Sequence, residues 1–435
     1  MSTQTATLPE TQSNRYGKKI VLIGAFFFIF GFVTWINGTL IPYLRIACEL
    51  EEWQAYLVTS AFYISYTIMA IPSSSILQKT GMVKGMSIGL ATMAVGCIVF
   101  IPAAYMRFYP LFLLGLFIIG IGLTLLQTAV NPYITLLGPA ESAARRMSIM
   151  GICNKTAGIL APLIMGSIIL KNSDTLLSEL ERLPYEQKII RLNELSHAVI
   201  VPYCLIAALL LLIAYSIRFA HLPEIQPEPS SKTSSGGETS SRQVMKQFEL
   251  GFLAIFCAVG TEVLAGDSIG NYGLYHGMKL SVAKNLTSWT MACMMCGYLF
   301  GVIAIPKIIS QQRAFWYSNV LAFVTTILIV LLPGTASIVA LALLGFFNAL
   351  LWPAIWPQAL KGLQGTLLNK GSAVLIMGIL GGALVPPLYG GLAKYINNQY
   401  AYLILIPVYL YLLYYSWLGV KEAKAATIAE PAIQG

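Results

Sequence analysis

Twelve long apolar runs, centred near residues 33, 66, 95, 123, 158, 208, 262, 297, 323, 348, 381 and 409, constrain this chain more than any motif in it. About 20 such residues span the roughly 30 Å of bilayer hydrocarbon as a helix. With no water there to serve exposed backbone, only helices and closed barrels satisfy every N–H and C=O. Barrel strands alternate apolar and polar residues, and these runs do not. An all-α membrane protein of twelve spans is therefore expected. The composition agrees, because 57% of the 435 residues are hydrophobic and 10% charged, whereas soluble domains are about one quarter charged.

The basic residues set an orientation. With the N-terminus inside, cytoplasmic loops hold seventeen of the 27 Lys and Arg, outer loops hold nine, and Lys155 is left within a span. That bias predicts both termini on the cytoplasmic side. It also sets the net charge of +9 against anionic lipid headgroups and requires no nucleic acid. Residues 1–19 are polar and lack a signal-peptide pattern, so the first span is expected to act as an uncleaved insertion signal. The seven cysteines fall mostly within spans, where thiols pack as small apolar groups, and no disulfide framework is expected. Cys293 and Cys296 form a CxxC, but without His partners it is read as packing.

An internal repeat organises the chain. Gly24 and Thr34 recur as Gly251 and Thr261, and Met150-Gly151-Ile152 as Met377-Gly378-Ile379, at an offset of 227 residues. Two six-helix bundles follow, residues 20–220 and 248–420, between a tail at 1–19 and a tail at 421–435. Residues 221–247 join them, beginning with a stretch rich in Pro, Ser and Gly that cannot bury a core and reads as a flexible cytoplasmic linker. Parallel halves of this kind place a substrate site at their midplane interface and work by rocking of one half on the other. Between Asn172 and Ser196, a charged outer loop is expected to carry a short surface helix.

Of the eighteen acidic residues, only Glu262 and Asp267 sit deep inside an apolar run. A carboxyl group there costs roughly 2.5 to 3.5 kcal/mol on insertion scales, so it marks a polar path or a cation partner. The two are five residues apart, about 140° around a regular helix, and share a cavity only if the helix distorts near Gly266. The other polar side chains cluster beside helix breakers: Trp35 and Asn37 before Pro42, Gln127 and Asn131 before Pro132, Asn154 and Lys155 before Gly158, and Asn348, Trp352, Trp356 and Gln358 around Pro353 and Pro357. Breaks are expected in the first, fourth, seventh and tenth spans. Amides donate and accept, and flat indoles pack against C–H faces, which is the recognition chemistry of a neutral sugar. An anion carrier would show inward Arg, and a drug exporter a Met- and Phe-lined pocket. Interhelical hydrogen bonding is the competing role for Asn37, Gln127 and Asn131, and plain packing for the tryptophans.

At these residues the chain resembles the fucose, galactose and glucose symporter family of the major facilitator superfamily. The likeness is carried by Asn37-Gly38-Thr39-Leu40-Ile41-Pro42, by Gln127 through Tyr133 with Leu137-Gly138-Pro139, and by Gly260-Thr261-Glu262-Val263, Asn348, Pro353, Lys361-Gly362-Leu363 and Met377-Gly378-Ile379. Within it, the chain is similar to the bacterial N-acetylglucosamine permease branch at Phe32 through Gly38, Leu125 through Thr128, Met147 through Ile152 with Asn154-Lys155, Glu262 through Asp267, and Trp352 through Pro357. The resemblance implies cation-coupled import of a monosaccharide across a bacterial inner membrane. Gly38 and Gln127 stand where fucose permeases carry protonatable acids, so Glu262 and Asp267 are left to couple a proton or sodium.

The expected activity is secondary symport of a neutral monosaccharide, N-acetylglucosamine first, with glucose, galactose or mannose symport or uniport as alternatives. Asn37, Gln127, Asn131, Asn154, Asn348 and Gln358 would bind hydroxyl or acetamido groups, with Trp35, Trp352 or Trp356 against the ring. Lys155 is open between a partner of an acid and a substrate or gating role. No cofactor is implied, and a monomer suffices. A membrane enzyme would need convergent His, Asp or Cys groups, whereas His197, His221 and His276 lie near segment ends. A sugar sensor would carry a soluble output domain, and the longest loops, at about 25 residues, leave no room for one.

Overall fold

Each apolar run forms a helix in a computed structural model that describes residues 10–136, 143–170, 173–217, 241–305, 308–363, 371–372 and 374–429. Linker residues 221–240 and the Leu137-Gly138-Pro139 motif lie outside that set. Six spans form the first half: Ile20–Ala47, Glu52–Thr80, Met82–Met106, Tyr109–Val130, Ile149–Ile169 and Tyr185–Ser216. Six more form the second: Val244–Asp267, Leu280–Ala304, Gln311–Leu331, Gly334–Leu360, Val374–Tyr395 and Tyr400–Lys421. No strand occurs among the described residues.

The two halves repeat one packing plan. In the first, the first span packs on the fifth, the second on the fourth and the third on the sixth. In the second half the counterparts pair in the same way, seventh on eleventh, eighth on tenth and ninth on twelfth. Glycine permits the tightest crossings. A Cβ at Gly31 would overlap the backbone carbonyl of Asn154, and one at Gly381 that of Phe256. Asn154 and Gly381 are equivalent positions of the repeat, so the same crossing is tight in both halves, with the glycine on the first span in one and on the eleventh in the other. The halves meet where the second span packs on the eleventh and the fifth on the eighth, a pair of contacts that the pseudo-two-fold exchanges.

Local chemistry sets the helix interruptions. In the first span, helix Glu10–Trp35 gives way at Ile36 to Asn37–Ala47, which contains Pro42. The seventh pauses at Ser268 before Ile269–Tyr275, and the tenth between Asn348 and Leu351. The expected break in the fourth span is not there, because one helix runs from Tyr109 to Leu136 through Pro132. Proline removes a single i to i−4 bond, and a helix packed on both sides absorbs that loss as a bend. The tenth span closes at Gly362, whose φ of 86° is open to glycine without strain.

Between Asn172 and Ser196 there are two helices, Ser173–Arg182 and Tyr185–His197, where one was expected. Pro184 separates them, since it cannot donate to a continuing helix. The Tyr43 hydroxyl donates to the carbonyls of Leu195 (2.7 Å) and Ser196 (3.0 Å), fixing this hairpin to the end of the bundle opposite the termini.

At that far end the halves are tied together. Lys394 Nζ reaches Glu51 Oε2 at 2.8 Å, Asn398 Nδ2 donates to Glu52 Oε1 at 2.7 Å, and Lys284 Nζ donates to the Leu170 carbonyl at 2.9 Å. Ser60 and Ser288 hydroxyls donate across the interface to the Ala383 and Ile159 carbonyls. Between described residues, the hydrogen bonds joining the halves lie at this far end or level with the central cavity, down to Thr67 and Met377.

Candidate functional site

A cavity of about 260 Å³ lies at the middle of the interface, with walls from both halves. The first half contributes Trp35, Tyr63, Tyr66, Gln127, Asn154 and Lys155; the second contributes Glu262, Tyr298 and Trp352. Its centre is an ion pair across the halves: Lys155 Nζ stands 2.9 Å from Glu262 Oε1, with the side chains 8% and 18% exposed. The ammonium also lies 4.8 Å from the centroid of the Trp35 ring and 5.7 Å from that of Tyr298. Carboxylate and π faces therefore replace most of its hydration, as a poorly solvated cation requires.

Trp35 is nearly sealed, at 3% exposure. A Cβ at Gly158 would fall 2.7 Å from its Cδ1, and one at Gly266 would fall 2.5 Å from its Cζ3. The indole is thus wedged between the fifth and seventh spans, one from each half, with Lys155 over its ring. The ring also forms part of the cavity wall.

The two mid-span acids occupy different places. One helix carries both residues, and its interruption, at Ser268, comes only after Asp267, so it does not bring the two carboxyls into one cavity. Glu262 lines the cavity and Asp267 does not. Asp267 is fully buried, and neither of its carboxylate oxygens has a hydrogen-bond partner among the described residues.

The remaining expected residues divide. Gln127, Asn154 and Trp352 line the cavity, and Asn154 Nδ2 also donates to the Phe27 carbonyl at 3.3 Å. Trp356 stacks on Trp352, with ring centroids 5.2 Å apart, and does not itself line the cavity. Asn348 is buried and its Oδ1 accepts from the Tyr409 hydroxyl at 2.7 Å. Gln358 Nε2 donates to the Tyr415 carbonyl at 3.3 Å, turning toward the twelfth span. Asn37 is fully buried at the first-span break with neither amide atom partnered. The Asn131 side chain lies outside the described ones. Sequence reasoning missed Tyr63, Tyr66 and Tyr298. A tyrosine in an apolar run reads as core, and the only available signal is the placement of Tyr63 and Tyr66 one turn apart on a single helix face.

Comparison with known proteins agrees with this architecture. Residues 22–377 match the family described as Major Facilitator Superfamily. A glucose/galactose transporter of Brucella abortus is 30% identical over 417 residues, covering 95% of this chain and 97% of the relative. An L-fucose-proton symporter of Escherichia coli K12 is 30% identical over 393 residues, covering 89% of each. Among solved structures, FucP, a Major Facilitator Superfamily transporter in the outward conformation, is similar with a TM-score of 0.69 and 28% identity, over 93% of this chain and 99% of that one. Fold and cavity together define a multi-pass membrane transporter rather than an enzyme. The chain belongs to the Major Facilitator Superfamily and, within it, to the family of fucose, galactose and glucose symporters.

Proposed function

We propose that this protein imports a neutral monosaccharide, N-acetylglucosamine first, by proton symport across a bacterial inner membrane, working as a monomer with both termini cytoplasmic. The observation that carries the reading is the ion pair between Lys155 and Glu262 inside the cavity. One proton on Glu262 removes the charge that holds Lys155 and so releases an ion pair that joins the two halves inside the cavity. Gln127, Asn154 and the hydroxyls of Tyr63, Tyr66 and Tyr298 offer donors and acceptors to sugar hydroxyls, and Trp352 offers a flat face. Asn37, Asn348 and Gln358 are assigned to support of the helices around the cavity.

Proton is preferred to sodium on two grounds. A sealed carboxyl without protein ligands suits a proton better than a cation that needs several oxygens, and a relative of 30% identity is named an L-fucose-proton symporter. N-acetylglucosamine is preferred because of the motif resemblance around Trp35-Ile36-Asn37, Asn154-Lys155 and Glu262 through Asp267. With cytoplasmic termini, the tied end is the outer one, and the conformation has its cavity closed to the outside.

The test is uptake of radiolabelled N-acetylglucosamine by proteoliposomes, with proton and sodium gradients imposed separately and glucose, galactose and mannose as competitors. Accumulation driven by the proton gradient alone is expected. Accumulation of glucose or galactose in place of N-acetylglucosamine would change the substrate, and a requirement for sodium would change the ion. Equilibration that ignores both gradients would overturn symport.

A further inference from the structure

A second cavity, of about 540 Å³, lies at the far end of the interface, with Arg45, Glu52, Asn271 and Asn398 in its wall. Asn271 is 1% exposed, and neither its amide oxygen nor its nitrogen has a hydrogen-bond partner among the described residues. The Tyr56 hydroxyl is buried within electrostatic reach of Asn271 and Glu52 and has no hydrogen bond of ordinary geometry among the described residues. Asn271 stands one turn beyond Asp267. The helix stops at Asp267 and restarts at Ile269, with the bonds Ser268 N to Leu264 O (3.0 Å) and Tyr272 N to Ser268 O (2.9 Å) on either side of the interruption, so Asn271 follows Asp267 by four residues across it. Tyr63, the neighbour of Asp267 on the other side, lines the central cavity and lies within electrostatic reach of both Asp267 and Glu262. Asp267 is therefore four residues from Asn271 in the wall of the far-end cavity and within electrostatic reach of Tyr63 in the wall of the central one. Buried polar groups of this kind are ordinarily served by water.

We propose that these groups form the proton entry route: water held by Asn271 carries a proton from the far-end cavity to the Asp267 carboxylate, with Asn271 as the positioning residue. The hydronium in the far-end cavity becomes water, and the carboxylate becomes a neutral acid. The inference rests on the reading of the chain as a proton symporter with Asp267 as a carrier. Under that reading the far end is the outer side, from which the sugar is also loaded.

The experiment compares two rates in proteoliposomes, net uptake driven by a pH gradient and sugar-for-sugar exchange at equal pH. In exchange the carrier shuttles without giving up its proton, so a slowed entry route spares it. Asn271→Leu is expected to slow net uptake by about tenfold or more while leaving exchange within about twofold of the parent protein. Asn271→Ser, which leaves room for water, is expected to regain most of the net rate. The route is overturned if exchange and net uptake fall together in both variants, which makes Asn271 a packing residue, or if neither falls. Asp267→Asn separates the two levels of the argument. Unchanged accumulation in that variant defeats the carrier role itself; lost accumulation, beside an indifferent Asn271→Leu, defeats the route alone.

Discussion

Lys155 and Glu262 hold each other where neither is well solvated, so removing one and removing both have different consequences. Glu262→Gln strands an ammonium between two aromatic rings, and Lys155→Gln strands a carboxylate. Each is expected to destabilise the protein by about 3 kcal/mol, and the double substitution to recover most of that loss. Thermal unfolding of the four proteins in one detergent reads this out, and equal additive losses would show that the pair is not coupled. Glu262→Gln should also abolish accumulation. Both residues were legible in the sequence as charges in apolar runs, but their meeting was not, because they lie 107 positions apart in different halves. The separation of Asp267 from Glu262 was half legible, because helix periodicity gives the angle between them and only the structure shows that the interruption falls after Asp267. Tyr63, Tyr66 and Tyr298 were illegible, because a tyrosine facing a cavity and one facing the core occur in the same kind of run.

Helix crossings depend on glycines that no side-chain pattern can replace. Gly31→Ala and Gly381→Ala each push a methyl into a facing carbonyl, so the first and fifth, or the seventh and eleventh, spans must part. A loss of about 1 to 3 kcal/mol is expected for either. The melting temperature of each variant should fall below that of the parent protein, although the glycine comes from the first span in one crossing and from the eleventh, the counterpart of the fifth, in the other. The alanine variant of Gly151, whose Cβ would meet nothing within 4 Å, serves as the control. Repeat and pairing were readable from the 227-residue offset. Breaks were readable in the first, seventh and tenth spans, where the helices are interrupted at Ile36, at Ser268 and between Asn348 and Leu351. They were misread at Pro132, where local sequence marks a place that can bend and packing decides whether it does.

Between whole halves, the far-end clasp should decide how readily the protein opens. Lys394→Gln removes the ion pair to Glu51 and is expected to raise, several-fold, the labelling rate of a cysteine placed at Leu274 in a background without the exposed native thiols. An unchanged rate would make the clasp incidental. The Lys394 ammonium and the Trp53 indole N–H hold the Glu51 carboxyl below the usual carboxylate range. A depressed folded-state value means that the contribution is complete above the ordinary carboxylate pKa and is lost only as pH falls through the lowered one. The clasp should therefore stay constant from about pH 5 to pH 8, and the labelling difference between Lys394→Gln and its parent should do the same. Sequence could not have disclosed which end is closed, since one chain encodes every conformation that alternates in a transport cycle. Wedged beneath an ammonium and against the backbones of both halves, Trp35 feels every change in that alternation. Indole emission shifts with neighbouring charge and with the polarity around the ring, so replacing the other six of the seven tryptophans leaves a single native fluorophore. Its colour would then follow the turnover of this carrier without any attached dye.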